Sequence, residues 1–185
     1  MDAAEEYCCD CGKMGHLYTR GLAVLPYTGK VRKSLHQIKF HNKKEYLDFY
    51  GPYMAEVLGK RILAWDAQAL IPVPLHRSKR RKRGFNQAEI LAVEVGRALG
   101  IPVRTDVVQR IRNTRPQKDL SLRERQNNLK GAFKIIQYDV KLKKIILVDD
   151  IYTTGSTIDG IAGKLLEQGA EEVYFIALCI GKDDG

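Results

Sequence analysis

The sequence predicts an α/β protein built on a doubly wound, mainly parallel β-sheet. Short apolar runs that are typical of buried strands alternate along the chain with segments whose apolar residues recur at helical spacing. Because strands that alternate with helices are joined by crossovers, this order favours parallel pairing with helices on both faces. The 185 residues are enough for one domain with a substantial core.

Six segments are strand candidates and four are helix candidates. The predicted strands cover residues 21–27, 69–74, 103–108, 132–136, 145–148 and 173–179. The predicted helices cover residues 31–40, 43–58, 87–99 and 157–168. Pro52 should kink or split the second helix, because proline lacks an amide hydrogen. We expect residues 21–185 to form the domain and residues 1–20 to form a separate segment.

The most informative segment is a predicted strand that ends in two carboxylates. The apolar run Ile145–Val148 is followed at once by Asp149 and Asp150. A hydroxyl-rich turn then leads to a helix, and its members are Thr153, Thr154, Gly155, Ser156 and Thr157. Such a turn presents free backbone N–H groups and the positive end of a helix, which together bind phosphate.

Two carboxylates beside a phosphate site indicate a ligand that also carries hydroxyl groups. Asp149 and Asp150 would repel phosphate, but they accept hydrogen bonds from vicinal ribose hydroxyls, as an acidic residue does in dinucleotide folds. The turn lacks the Gly-Lys-Ser/Thr ending of a Walker loop, and it has only one glycine of a dinucleotide fingerprint. The predicted ligand is a ribose 5-phosphate unit. The alternatives are the acidic pocket of a receiver domain and a chance acidic strand end.

The formal charge of +9 is concentrated in a run that follows the 69–74 strand. Its positive members are Arg77, Lys79, Arg80, Arg81, Lys82 and Arg83. Because ligands of such sheets bind beyond the carboxyl ends of the strands, this loop and the 153–157 turn can face one pocket. The run is either an anion-binding loop, for a polyphosphate or a nucleic acid, or a solvated loop.

Three of the four cysteines lie near the N-terminus, where Cys8 and Cys11 have the spacing of one zinc knuckle. A structural zinc site needs four ligands, and a second pair is missing. Either the knuckle is half of a site that this sequence does not complete, or Cys9 or His16 supplies a further ligand. Cys179 lies in an apolar strand candidate and is expected to be a core residue.

No run of eighteen apolar residues occurs, and the N-terminus has no apolar region of the kind found in secretory signals. We therefore expect a cytoplasmic protein without a membrane span.

The segment VDDIYTTGST (148–157) resembles the phosphoribosyl pyrophosphate (PRPP) motif of type I phosphoribosyltransferases. The resemblance implies a fold of that kind and PRPP, bound with Mg²⁺, as the ligand. Asp149 and Asp150 would hold the ribose hydroxyls and the turn would hold the 5-phosphate. Arg77 would contact the pyrophosphate, because guanidinium groups bind phosphate through paired hydrogen bonds. His76 beside it is weak evidence and can equally be a space-filling residue.

The polar segment RNTRPQKDL (112–120) is predicted to be a loop. In the enzymes that this chain resembles, such a loop closes over the sugar and excludes water. Arg115 and Lys118 would then offset the charge on the departing pyrophosphate. The competing interpretation is a plain surface loop. No residue pattern specifies an acceptor. The sequence alone therefore does not determine whether the chain is a pentosyltransferase.

The wider pattern resembles the ComF family, whose members are phosphoribosyltransferase-like proteins linked to DNA uptake in competent bacteria. The pattern consists, in the same order, of Lys39-Phe40, IPVPL, RGFNQ, RNTRPQKDL, RQNNLKGAF and VDDIYTTGST. Similar members carry a four-cysteine zinc finger, of which Cys8 and Cys11 match only the last pair.

The family implies two hypotheses about function. One is a PRPP-dependent enzyme or switch in natural transformation. The other is a non-catalytic competence factor that binds single-stranded DNA and works with a DNA-uptake helicase. The residues that would contact DNA are Lys79, Arg80, Arg81, Lys82 and Arg83.

Overall fold

A parallel four-stranded sheet forms the centre of the protein. The computed structural model describes residues 15–113, 131–137 and 142–181. Its strands are β1 Arg20–Pro26, β2 Ala69–Pro72, β5 Lys144–Tyr152 and β6 Glu172–Ile180. They lie in the order β1–β6–β5–β2, and every neighbouring pair is parallel. Two further strands, β3 Val108–Arg110 and β4 Phe133–Ile135, form an antiparallel pair.

Helices cover both faces of the sheet. Their bounds are α1 Gly29–His41, α2 Glu45–Leu63, α3 Arg77–Arg83, α4 Gln87–Leu99 and α5 Ser156–Glu167. Ile146 and Val148 of β5 pack into the core with α1, α2 and α4. Their neighbours Ile145 and Leu147 pack into a second core with α5, β3 and β4. Successive strand residues therefore point to opposite, fully covered faces, which explains why β5 is continuously apolar.

This architecture confirms the predicted doubly wound, mainly parallel sheet. The predicted helix and strand positions agree with the structure to within a few residues for β1, β2, β4, β6, α1, α4 and α5. Within the described ranges, no helix has the length and apolar character needed to cross a membrane.

Pro52 was predicted to kink or split the second helix, and the predicted split is wrong. Helix α2 runs without interruption from Glu45 to Leu63. Pro52 is exposed, whereas Gly51 beside it is buried against α4. The missing amide hydrogen therefore lies on the solvent side, where water can satisfy the carbonyl that it leaves unpaired, and packing of the other face holds the helix together.

Two other segments differ from the sequence prediction. The basic run 77–83 is a helix, not a loop: the His76 side chain accepts a hydrogen bond from the Ser78 N–H, and Gly84 ends the helix at φ 85°. Lysine and arginine have high helix propensity, which a reading based on charge alone overlooks. The strand predicted at 103–108 is instead β3 at Val108–Arg110, and Val103 forms only an isolated bridge to Leu70.

Part of the N-terminal segment packs on the domain. The Thr19 N–H donates to the Val173 carbonyl of β6 at 2.6 Å, so Thr19, which immediately precedes β1, is held against the sheet. The predicted zinc ligands Cys8 and Cys11, and the predicted lid residues Arg115 and Lys118, lie outside the described residues. Cys179 is a buried core residue, as expected, and burial raises the pKa of its thiol to about 12.

Candidate functional site

Asp149 and Asp150, here called the acid pair, lie near the C-terminal end of β5. This strand is central, because β6 pairs with it on one side and β2 on the other. All strands of the sheet are parallel, so their carboxyl ends meet at one edge, where ligands of open α/β sheets bind. β5 extends through the acid pair to Tyr152, which fixes the two carboxylates to a strand rather than to a mobile loop.

Asp150 is buried and points toward the helices of one face. Its carboxylate forms an ion pair with Lys39 of α1 and accepts a hydrogen bond from the Gln87 amide of α4 at 3.1 Å. Burial opposes the charge of Asp150, but the Lys39 ammonium and the Gln87 amide outweigh burial and hold the pKa of Asp150 below its ordinary value. Asp150 is therefore the member of the pair that stays ionised.

Asp149 is less covered than Asp150 and has a different electrostatic environment. One of its carboxylate oxygens accepts the Asp150 backbone N–H at 2.8 Å. Burial, and next the negative charge of Asp150, raise the pKa of Asp149 well above its ordinary value. Two adjacent carboxylates whose pKa values are driven apart in this way are typical of functional sites.

Basic side chains from three elements surround the acid pair. Arg83 of α3 is close enough to Asp150, and Arg110 of β3 close enough to Asp149, for the carboxylate charge to stabilise each guanidinium. Burial lowers the pKa of Lys79, and the charges of Arg110, Arg83 and Lys39 lower it further. Four cations therefore lie around two carboxylates. The excess positive charge favours an anion that carries several charges.

The 153–157 turn joins β5 to α5, as the sequence predicts. Thr154 and Ser156 are buried, and their hydroxyls hydrogen-bond to each other at 2.9 Å. Gly155 has a φ of 76° and is the N-cap residue of α5. A side chain here would be strained, and its Cβ would lie 2.8 Å from the Tyr152 hydroxyl and 2.9 Å from the His16 ring. The glycine is required by both the backbone conformation and the lack of space.

The N-terminal segment holds the first turn of α5 from outside. His16 Nδ1 lies 2.7 Å from the Asp159 carboxylate, and the Leu17 N–H donates to the other oxygen of Asp159 at 2.8 Å. The Tyr18 and Tyr152 hydroxyls hydrogen-bond at 2.7 Å. Because His16 Nδ1 is engaged by Asp159, any metal-binding role for His16 would have to use Nε2.

The remaining arginines of α3 face a different surface. Arg77, Arg80 and Arg81 are exposed and, with Gly84, line an open cavity of about 470 Å³. Arg80 is held there by the Glu89 carboxylate of α4. Lys79 and Arg83, one turn apart, are half-buried on the side of the acid pair. The basic run is thus divided between two sides of one short helix.

Sequence reasoning found the acid pair and the turn but missed three residues near them: Lys39, Gln87 and Arg110. Gln87 belongs to the RGFNQ motif, and its place next to the predicted helix start at Asn86 was a usable signal. Lys39 belongs to the family pattern through Lys39-Phe40, but nothing in the sequence assigned it to the site, and Arg110 had no local signal, because only the packing of α1 and β3 brings them to β5. Arg77, predicted to bind pyrophosphate, lies on the cavity side of α3.

Comparisons with known proteins agree with this geometry. Residues 81–185 match the phosphoribosyl transferase domain family. The chain is 32% identical over 179 residues to DNA utilization protein YhgH of Salmonella typhi, which covers 93% of this chain and 77% of that protein. It is 39% identical over 108 residues to Competence protein F of Haemophilus influenzae, but spans only 47% of that protein's length.

Two other similarities are more distant. Competence protein ComFC of Bacillus subtilis is 27% identical over 157 residues, which are 83% of this chain and 60% of that protein. A purine phosphoribosyltransferase structure from Pyrococcus horikoshii Ot3 aligns with 72% of each chain, at 22% identity and a TM-score of 0.43. The family match extends over more than half of the chain, and the YhgH match over nearly all of it. The chain therefore belongs to the ComF family of phosphoribosyltransferase-like proteins.

Proposed function

We propose that this protein binds PRPP, or a closely related ribose phosphate, at the carboxyl end of β5. The observation that carries the proposal is the acid pair beside the 153–157 turn, with four cations around it. Carboxylates accept hydroxyl hydrogen bonds, a turn at a helix N-terminus binds a phosphate monoester, and surplus cations bind pyrophosphate. One ligand that carries all three groups is PRPP.

Each part of the ligand has a matching part of the site. Asp149, the less covered carboxylate, would meet the ribose hydroxyls first. Asp150 would keep acceptor capacity for a second hydroxyl, because each carboxylate oxygen can accept more than one hydrogen bond. The amides of residues 153–157 would hold the 5-phosphate. Lys79, Arg83 and Arg110 would bind the pyrophosphate, in place of or in addition to Arg77.

Magnesium is part of the proposed ligand complex rather than of the protein alone. Among the described residues, no group of three or more His, Cys, Asp or Glu side chains could hold a metal ion. Mg²⁺ fits such a ligand complex, because it prefers to bind substrate phosphates and water rather than an all-protein cage. When bound, the ion would neutralise charge on the pyrophosphate.

In a transfer reaction, a nucleophilic atom of the acceptor would form a bond to ribose C1 while the bond between C1 and the pyrophosphate oxygen breaks, and pyrophosphate would leave with the electron pair. The protein would contribute positioning and electrostatic stabilisation of the departing group. No residue pattern in the chain identifies the acceptor. Ligand binding is therefore the proposed activity, and turnover follows only if an acceptor is supplied.

The relatives' names support a biological role that involves DNA. YhgH is named as a DNA utilization protein, and Competence protein F and Competence protein ComFC are named for competence. We propose a role in DNA uptake for this chain as well, with a DNA-uptake helicase as a protein partner.

Calorimetric titration with PRPP and Mg²⁺ tests the proposed ligand. The wild-type protein should release or absorb heat with one-to-one stoichiometry, and Asp149→Asn should weaken binding by about ten-fold or more, the loss of one charge-assisted hydrogen bond. Asp48→Asn is the matched control, because Asp48 is an exposed carboxylate at the start of α2. No heat from the wild-type protein, or equal affinity in the Asp149 variant, would refute the proposal.

A second candidate function is the binding of single-stranded DNA by α3. The observation that favours it is the open cavity lined by Arg77, Arg80 and Arg81. Exposed arginines bind backbone phosphates without reading sequence, and they stack on unpaired bases. Lys82 is also exposed and could join them, whereas Lys79 and Arg83 are half-buried.

The salt dependence of DNA affinity tests this candidate. Arg77→Glu/Arg81→Glu should weaken binding to an oligonucleotide and reduce the slope of log affinity against log salt by roughly the number of phosphate contacts removed. Arg32→Glu/Lys33→Glu on α1 changes the net charge equally at another exposed site and serves as the control. Equal losses in both variants would indicate a non-specific effect of net charge and would count against α3.

A further inference from the structure

Lys39 lies outside the part of the chain that matches the phosphoribosyl transferase family, yet it contacts the centre of the site. The family match begins at residue 81, whereas Lys39 is near the end of α1. Its ammonium pairs with Asp150, and only about a fifth of the Lys39 side chain is exposed. Most surface lysines extend into water, so a lysine folded back onto a buried carboxylate needs a structural cause.

The packing of α1 directs Lys39 inward. Leu35 and Ile38, on the same helix, are fully buried in the core beneath the sheet. Lys39 follows Ile38 and lies four residues after Leu35, so it falls on the edge of the buried stripe. The Ser34 hydroxyl bonds the Tyr50 hydroxyl of α2 at 2.6 Å, which fixes α1 against its neighbour. The position of the ammonium is therefore set by the fold.

We propose that Lys39 is a positioning residue of the ribose phosphate site, which holds the Asp150 carboxylate against Gln87 so that Asp149 is presented to the ligand. This inference rests on the proposed function and deepens it. Lys39 would not contact the ligand itself and would act on it through Asp150.

The contacts of Asp150 explain how the presentation works. Lys39 and Gln87 each engage one of its carboxylate oxygens, so the side chain has a single well-defined orientation. On the main chain, the Cys179 thiol of β6 donates to the Asp150 carbonyl at 3.3 Å, and the Asp150 N–H binds Asp149. The orientation of Asp149 therefore depends on the backbone of Asp150, which these contacts fix.

Charge provides a second reason for Lys39. Among the described residues, the charged groups around the acid pair are Lys39 from α1, Lys79 and Arg83 from α3 and Arg110 from β3, and the Cys179 thiol of β6 is a further titratable group. Lys39 is the strongest attraction on Asp150 and also lowers the pKa of Asp149. Without Lys39, the two carboxylates would share a proton, and Asp149 would accept ribose hydroxyls less well.

The test compares PRPP affinity in wild type, Lys39→Met and Lys39→Arg between about pH 5.5 and about pH 8.5, which is roughly 1.5 units either side of neutrality. Methionine keeps the apolar stem but removes the charge, and affinity should fall about ten-fold at neutral pH. The loss should be largest at the acidic end, because the acid pair then binds a proton that Lys39 otherwise excludes. Arginine keeps the cation and should restore both affinity and pH profile.

Two further variants make the result decisive. Lys43→Met removes an exposed lysine that pairs with Glu45 at 3.5 Å just after α1, and it should behave as wild type. Lys39→Met/Asp150→Asn removes both partners, leaves no buried charge unpaired and should fold even if the single variant does not. The double variant should also bind PRPP at least about ten-fold more weakly than wild type.

The outcomes separate this inference from the proposed function. Wild-type protein that does not bind PRPP overturns the proposed function and Lys39's part in it together. If the wild-type protein binds PRPP, either of two results overturns the role of Lys39 alone. One is wild-type affinity in the double variant, and the other is a loss of affinity in Lys39→Met that is equal at all pH values. A loss concentrated at acidic pH and reversed by arginine supports it.

Discussion

The two neighbouring aspartates show how local environment gives identical side chains different properties. Asp150 has a cation and an amide as partners, whereas Asp149 has mainly burial and a like charge to contend with. A strand places them on different sides, so each meets a different set of neighbours. Asp150 therefore has a lowered pKa and favours the ionised form, whereas Asp149 has a raised pKa and favours the protonated form.

This difference predicts opposite effects of two similar substitutions on stability. The pKa of Asp149 is raised in the folded state. Its contribution to folding stability is therefore fully present below the unfolded pKa and is lost as the pH rises through the folded pKa. Ionisation of Asp149 in the folded state therefore costs stability. Asp149→Asn should raise the melting temperature at pH 7, and its advantage should shrink as the pH falls below the folded pKa of Asp149 and vanish below the unfolded pKa.

Asp150→Asn should have the reverse effect. The pKa of Asp150 is lowered, so its contribution is present above the unfolded pKa and is lost as pH falls through the folded value. Removing the carboxylate leaves Lys39 largely buried and unpaired, which should cost about 2–4 kcal/mol at neutral pH. Thermal or urea unfolding of both variants measures the two signs, and two variants that shift stability in the same direction would contradict this account.

At the residue scale, the sequence was informative where function depends on adjacent residues. The order of two acids, a hydroxyl-rich turn and one glycine is readable directly from positions 149–157. The partners of these residues could not be predicted from the sequence. Lys39 is 111 residues from Asp150, Arg110 is 39 residues from Asp149, and only tertiary packing brings them together.

At the element scale, the contact between α2 and α4 positions the wall of the site that contains Gln87. Gly51 lies at this crossing, where a methyl group would overlap Cβ of Glu94 and lie 2.8 Å from its Cγ. The helices are therefore close enough to exclude a side chain at this position. The same glycine precedes Pro52, so packing rather than propensity keeps α2 helical.

Gly51→Ala should destabilise the protein by about 1–3 kcal/mol, because the added methyl group must push α2 away from α4. Gly160→Ala on α5 is the matched control: its Cβ would lie at ordinary contact distance, 3.6 Å, from the Phe133 ring. That substitution should be neutral or stabilise by up to about 1 kcal/mol, since alanine favours helix over glycine. Chemical denaturation measures both, and equal effects would refute the close crossing.

Element prediction succeeded where hydrophobic period and length agreed, and it failed where tertiary contacts override local rules. The apolar strands and the stripe of α4 follow directly from spacing. The basic helix α3 has no buried residue, so no apolar pattern announces it. Its cap residues His76 and Gly84 are the only local evidence, and charge alone suggested a loop.

At the scale of the whole molecule, the fold brings widely separated residues to one edge of the sheet. α1 supplies Lys39, α3 supplies Lys79 and Arg83, β3 supplies Arg110, and β5 supplies the acid pair. The N-terminal segment adds a contact from the other side, through His16 and Asp159 at the first turn of α5. Every component of the proposed site therefore depends on the complete domain rather than on a single motif.

A crystal soaked with ribose 5-phosphate tests the central proposal most directly, because this ligand contains the diol and the monoester but no pyrophosphate. We expect density for its phosphate at the backbone amides of residues 153–157, with the ribose hydroxyls in hydrogen-bonding contact with Asp149. Density for the phosphate in the cavity of Arg77, Arg80 and Arg81, with none at the 153–157 turn, would contradict the account.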